Sequence, residues 1–291
     1  MRYESAARFR QALEQRLADR TRATGASLVR LRKTVAFDRL LARLTAVAPG
    51  RWVLKGGLAL DFRLKDRSRT TKDMDLVRHD GEEAAVADLI EAASCDLGDF
   101  FTFSVEGRVS LGEGEAPAVR CRVRAELGGR LFENVVVDMG FSDPLGWTPE
   151  RVRGSDLLEF AGIAPVDVPV IALEQQVAEK LHAYTRRYRG LPSSRARDLV
   201  DLVLIKKLAG LDGERLRDAL HGTFEGRRQQ AMPGSLPPPP AEWSVAYRKL
   251  AIEVGLGTDL AAGYREAAAL LDPVLAGVDS GRWDAMKGCW V

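Results

Sequence analysis

Apolar positions follow two regimes along the chain: helical and strand-like spacings mix in the first half, and the helical spacing prevails beyond about residue 150. Phe9, Leu13 and Leu17 recur four apart, so Glu4–Arg20 reads as a helix punctuated by Gly25. A second helix is expected over Ser27–Val47, carried by Leu28, Leu31, Leu40, Leu41 and Leu44 and ended by Pro49-Gly50. Trp52–Lys55 reads as a strand, followed by a Gly56-Gly57 turn, a short helix through Leu60 and Phe62, and a strand over Asp73–Val77. Gly81–Ser94 carries Val86, Leu89 and Ile90 at helical spacing. Phe100–Val105, Val119–Leu127 and Leu131–Met139 alternate as strands do, and Gly128-Gly129 is a hairpin signal between the last two.

Turn residues dominate Gly140–Arg153 and predict a boundary there. Beyond it, Ala172–Arg187 places Leu173, Val177, Leu181, Tyr184 and Tyr188 on one stripe. Ser193–Leu208 follows, with Ser193 or Ser194 as its cap and Gly210 as its terminator, then Asp212–Phe224 and finally Asp259–Leu271. The proline-rich Gln229–Glu242 reads as an extended connector. The expected fold is α+β: residues 1–150 form a lobe with a small mixed sheet and N-terminal helices, and residues 151–291 a mainly α-helical C-terminal lobe.

Composition narrows this little. Lys and Arg number 43 against 41 Asp and Glu, so the net charge of +2 does not announce a nucleic-acid binder. Local basic runs do occur, at Arg30–Lys33, Arg186–Arg189, Arg195–Arg197 and Arg227-Arg228; singly each reads as a solvated helix end, and together they permit an RNA substrate. No segment is apolar for long enough to span a bilayer, so no membrane is expected. The charged start and three scattered cysteines, Cys95, Cys121 and Cys289, point to a reducing cytoplasm.

The chemistry concentrates in Val53–Val77. In an extended Asp73-Met74-Asp75, the two carboxylates share one face and Met74 takes the other. Two hard oxygen ligands at one point make a Mg²⁺ site with room left for phosphate. The upstream glycines would let backbone N–H groups meet the β- and γ-phosphates of an NTP. Lys55, just before the turn, could reach phosphate or pair with an acid. Arg120, Arg122 and Arg124 alternate on one strand face and would either line the site or face water.

Lys55-Gly56-Gly57-Leu58-Ala59-Leu60 followed by Arg69-Thr70-Thr71-Lys72-Asp73-Met74-Asp75 resembles the AbiEii-type toxins, including the mycobacterial MenT toxins, within the DNA polymerase β-like nucleotidyltransferase superfamily. The resemblance covers roughly residues 28–210 and implies a polymerase β-like lobe, Mg²⁺ and an NTP substrate. It implies that Asp138, at the end of a buried strand, adds a third metal carboxylate to Asp73 and Asp75. On helical spacing alone Lys180 reads as a lysine at the margin of an apolar stripe; the family's matching Lys-Leu-His-Ala stretch makes it an active-site cation for phosphate. Arg195-Ala-Arg-Asp198-Leu-Val-Asp201-Leu resembles the family motif whose second aspartate is catalytic, marking Asp201 as general base or lysine-positioning group, with Asp198 second. Thr71 carries over as a nucleotide-site hydroxyl and a regulatory phosphorylation position, and its hydroxyl could equally cap or hydrogen-bond the loop. His182 reads as packing or capping.

The resemblance favours a toxin of a toxin–antitoxin or phage-defence pair. It would move NMP from NTP to RNA, plausibly a tRNA 3′ end, with an AbiEi-type winged-helix antitoxin as partner. Two alternatives stand: a small-molecule, antibiotic-type nucleotidyltransferase, and a non-catalytic nucleotide-binding inhibitor.

Overall fold

The computed structural model describes residues 1–64, 68–111, 118–141, 148–188, 191–192, 195–208, 210–227, 230–278 and 281–291. The chain divides into two compact units, Met1–Asp66 with Thr70–Ile171, and Arg67–Arg69 with Ala172–Val291.

In the first unit, α1 (Ala6–Thr24) begins at Ser5, whose hydroxyl accepts from the Arg8 N–H, and ends at Gly25, which takes the left-handed φ of 74°. Its Phe9, Leu13 and Leu17 stripe is buried, as the four-residue spacing predicts. α2 (Leu28–Val47) is capped by Ser27 and turns Leu31, Val35, Leu40 and Leu44 into the same core. The sheet then assembles from β1 (Val53–Lys55), β2 (Asp73–Arg78), β3 (Phe101–Leu111), β4 (Ala118–Leu127), β5 (Arg130–Phe141), β6 (Glu150–Arg153) and β7 (Asp167–Val170), in the order β3-β4-β5-β2-β1-β7-β6. β2 runs parallel to β5 and β1 parallel to β7; the remaining pairs are antiparallel. The short helix α3 (Gly56–Leu64) follows β1 directly, and α4 (Glu82–Ser94) follows β2.

The Gly128-Gly129 signal is the β4–β5 turn, both glycines having positive φ. β6 and β7 were not legible: each is four residues long, and they lie at and beyond the expected boundary, so the sheet of the first unit continues past residue 150.

The second unit holds α5 (Leu173–Thr185), α6 (Ala196–Ile205), α7 (Gly213–Arg227), α8 (Ser244–Glu253) and α9 (Leu260–Leu275), with two-residue strands pairing Arg187–Tyr188 with Leu191–Pro192 and Trp283–Asp284 with Cys289–Trp290. α5 ends at Thr185, so Tyr188 falls beyond it in a strand. The α6 cap expected at Ser193 or Ser194 lies outside the described residues. Residues 231–240 are irregular, as the prolines require. α8 is additional to the expected helices; it buries only Tyr247 and Ala251, too few positions for a periodic signal. Among the described residues, no helix is long and apolar enough to cross a membrane.

Candidate functional site

β2 fixes the paired carboxylates by its period of two. Met74 is fully buried, while Asp73 and Asp75 lie on the opposite, partly exposed face. Strand register then assembles a charged row. Lys55 of β1 stands opposite Asp75 of β2, Asp75 opposite Asp138 of β5, and Asp138 opposite Arg120 of β4. Register partners share a face, so four strands present cation, carboxylate, carboxylate and cation in line. Arg120 closes the row by a bidentate ion pair: its Nε and Nη2 donate to Asp138 Oδ1 and Oδ2 at 2.7 and 2.6 Å. That hydrogen bonding, then the charges of Asp138, Asp73 and Asp75, raises the Arg120 pKa further against the opposing effect of burial.

The glycine turn is sterically demanded by this row. Gly56 has φ +67°, and a Cβ built on it would lie 1.9 Å from Asp75 Oδ2. The backbone therefore touches the carboxylate, at the point where α3 begins. Gly57 is the second residue of α3. Lys55 reaches across the face, its Nζ 3.9 Å from the position a Cβ on Gly140 would occupy.

Asp73 and Asp75 fit a divalent cation by donor type and shared face. Asp138 accepts from Arg120 through both oxygens, so a third-ligand role would use the lone pairs that the guanidinium leaves. No cluster of three or more His, Cys, Asp or Glu positioned to hold a metal occurs among the described residues. Thr71 is buried, and its hydroxyl has no hydrogen-bond partner among them.

In the second unit, α5 and α6 bring Lys180, Asp198 and Asp201 together. Lys180 is buried, not marginal; its Nζ donates to Asp201 Oδ2 at 2.5 Å and lies 4.0 Å from Asp198 Oδ1. Asp198 and Asp201 share a helix face by their i, i+3 spacing. Arg195 pairs with Asp198 at 2.9 Å. Sequence reasoning gave Arg69 no role, yet its Nε and Nη2 donate to Asp201 Oδ1 and Oδ2, each at 2.9 Å. The signal available was its place four residues ahead of Asp73 in the family-like motif.

These contacts set the charge states. Burial pushes Asp201 up, but Lys180 and Arg69 outweigh it and hold the carboxyl below its ordinary value. Burial pushes Asp198 up against Lys180 and Arg195 and prevails. A carboxylate lowered in pKa and accepting three hydrogen bonds is a poor proton acceptor. The arrangement suits the lysine-positioning role for Asp201 better than the general-base role.

Several basic runs serve the fold. Arg30 is buried against Asp61 at 2.6 Å, Arg32 donates to the Phe132 carbonyl, and Lys33 to the Asn134 carbonyl. Arg227 pairs with Glu179. Arg122 is exposed on the sheet face, and Arg124 pairs with Glu126. His182 packs edge-on to Phe224, the packing role its sequence context suggested.

The family model described as nucleotidyl transferase AbiEii toxin, type IV TA system, matches residues 39–278. The chain belongs to the AbiEii family. It is therefore a nucleotidyltransferase and a toxin of the type IV toxin–antitoxin class, and the family implies an NTP substrate, typically a divalent metal, and a cognate antitoxin. Among solved structures, MenT4, a nucleotidyltransferase toxin from Mycobacterium tuberculosis H37Rv, is similar with a TM-score of 0.61 at 22% identity, over 94% of this chain and 92% of that one. That likeness supports the α+β fold with its mixed sheet. JHP933 from Helicobacter pylori is similar at 14% identity and a TM-score of 0.47, over 84% of this chain and 92% of its own. No curated protein matches.

Proposed function

We propose that this AbiEii chain transfers a nucleoside monophosphate from an NTP to RNA, at a tRNA 3′ end, with Mg²⁺ as the metal. The observation that carries the reading is the row Lys55–Asp75–Asp138 set against the Gly56 turn, with Asp73 beside it. Asp73 and Asp75 would hold the cation, which when bound supplies charge neutralisation to the phosphates. The N–H groups at Gly56 and Gly57 and the ammonium of Lys55 bind and orient the anionic triphosphate. Lys180, held by Asp201 with Asp198 nearby, is a second requirement as a phosphate-directed cation.

In the step itself, the acceptor hydroxyl oxygen bonds to the α-phosphorus and the α–β phosphoanhydride bond breaks. Pyrophosphate leaves with the electron pair, and the hydroxyl proton passes to solvent. The exposed Arg122 and the partly exposed Arg120 and Arg124 lie on the same sheet face as the carboxylates, which favours a polyanionic acceptor over a small cationic one. The reading extends to a cytoplasmic toxin acting in phage defence, restrained by an AbiEi-type winged-helix antitoxin.

The test is incubation of the protein with each labelled NTP, total RNA and Mg²⁺, beside Asp73→Asn and Lys180→Ala. Label entering the tRNA fraction only with the unaltered protein supports the reading. Equal labelling by the variants, or none with any NTP, overturns it.

A further inference from the structure

Four ionisable groups of the second unit are enclosed together, Arg69 and Lys180 against Asp198 and Asp201, with the part-exposed Arg195 at their edge. Asp201 is 1% exposed, Lys180 and Asp198 are 8% and 4%, and Arg69 is 14%. Asp201 divides its charge between two partners. Arg69 takes both oxygens in the parallel two-point geometry that a guanidinium favours, and Lys180 takes Oδ2 alone. Asp198 is already paired with Arg195 and stands at 4.0 Å from Lys180. Glu253 also acts on Arg69, so the asymmetry lies at Asp201: one carboxylate is shared by two cations in a low-dielectric setting, where charge is costly unless it is paired.

We propose that Arg69 is a positioning residue of the transfer reaction: by sharing the Asp201 carboxylate it leaves the Lys180 ammonium only partly compensated and available to an anionic phosphate. Without Arg69, Lys180 and Asp201 would form a one-to-one pair, and the lysine's charge would be spent inside the protein. The same two-point grip fixes the Asp201 carboxylate plane and hence where Lys180 Nζ is held. This inference rests on the reading of Lys180 as a phosphate-directed cation.

The test compares Arg69→Gln, Arg69→Lys and Lys180→Ala in the full chain, with kcat/KM for NTP-to-RNA transfer, its pH profile and Tm as readouts. Arg69→Gln keeps length and hydrogen bonding but removes the charge; Arg69→Lys keeps the charge but loses the fork. The expected result is a fall in kcat/KM of about tenfold or more for Arg69→Gln. Arg69→Lys should recover most of it, and the acid limb of the Arg69→Gln profile should move to higher pH as Asp201 loses its guanidinium. A purely structural role would lower Tm and leave the profile in place. Arg69→Gln with unaltered kcat/KM and profile, or Gln and Lys equally impaired, overturns the proposal. Should Arg69→Gln not fold, Arg69→Lys decides: activity within about threefold of the parent supports it, and a loss as deep as that of Lys180→Ala overturns it. If Lys180→Ala itself transfers normally, the reading of Lys180 fails first and takes the proposal with it. If Lys180→Ala is impaired and Arg69→Gln is not, the Arg69 proposal alone fails.

Discussion

Gly56→Ala tests how tightly the glycine turn and the carboxylate row are joined. Two costs arise. An L-residue at φ +67° carries about 1–2 kcal/mol of left-handed strain. The new methyl would also sit 1.9 Å from Asp75 Oδ2, 2.7 Å from Cγ and 3.0 Å from Cβ. Ordinary contact needs about 3.5 Å, so the carboxylate must retreat by roughly 1.5 Å. Rotating Asp75 off its rotamer costs about 0.5–1.5 kcal/mol, less than moving β2, whose Met74 is locked in the core. The summed destabilisation is then about 2–3 kcal/mol, within the common range for a point change. Displacement of a reacting-centre group by an ångström or more should lower kcat by about 10²-fold. Gly50→Ala is the internal control: its φ is +75° but nothing lies within 4 Å of the added methyl, so it should show the strain alone and unaltered transfer. Urea unfolding paired with labelled-NTP transfer measures both quantities. Gly56→Ala with transfer within threefold of the parent would refute the steric argument.

The remaining expectations are separable. Adding Mg²⁺ should raise Tm by linkage, by an amount equivalent to about 2.7 kcal/mol at a hundredfold excess over Kd, and Asp73→Asn with Asp75→Asn should remove the response; an equal shift in that double variant would argue against the carboxylate pair. His182 has its pKa lowered to about 4 by burial first, then by Arg227 and Arg186. The unfolded chain therefore takes up the proton first, so stability is full above about pH 6.5 and is lost as pH falls towards 4, by roughly 2–3 kcal/mol. Urea midpoints at pH 7 and pH 4.5 should differ less for His182→Leu than for the parent. Arg43 is fully buried and donates to Asp99, the Cys95 carbonyl and the Phe101 carbonyl, so Arg43→Met should cost about 3 kcal/mol by leaving buried Asp99 with only the longer Arg39 contact and the Phe101 N–H. A loss under 1 kcal/mol in chemical denaturation would contradict that accounting.

Elements with a strong repeating pattern were legible, and short or irregular ones were not. α1, α2 and β2 follow from four-residue or two-residue spacing that burial enforces over several turns or residues. β6 and β7 lack such length, and β3 runs on past Val105 only through a register shift between Val105 and Gly107, which breaks the alternation a sequence reading relies on. Asp73 and Asp75 were readable because a strand's geometry is local. Arg69 was not, because its partner Asp201 lies 132 positions away and no local rule pairs them. The commitment of Asp138 to Arg120 was likewise hidden, since it depends on the cross-strand register of β4 with β5.

β2 also constrains how this gene can change. Loss or gain of a single residue within Asp73–Arg78 would exchange the faces of Met74 and its neighbouring acids, sending a carboxylate into the core and the thioether into the charged row. Such a frame-preserving indel would fail as a folded protein before it could fail as a toxin. Mutations that disarm the protein yet leave it able to fold should therefore be substitutions at Asp73 and Asp75 rather than length changes around them. Survivors of a toxicity selection, sorted by whether soluble protein remains, should divide along that line.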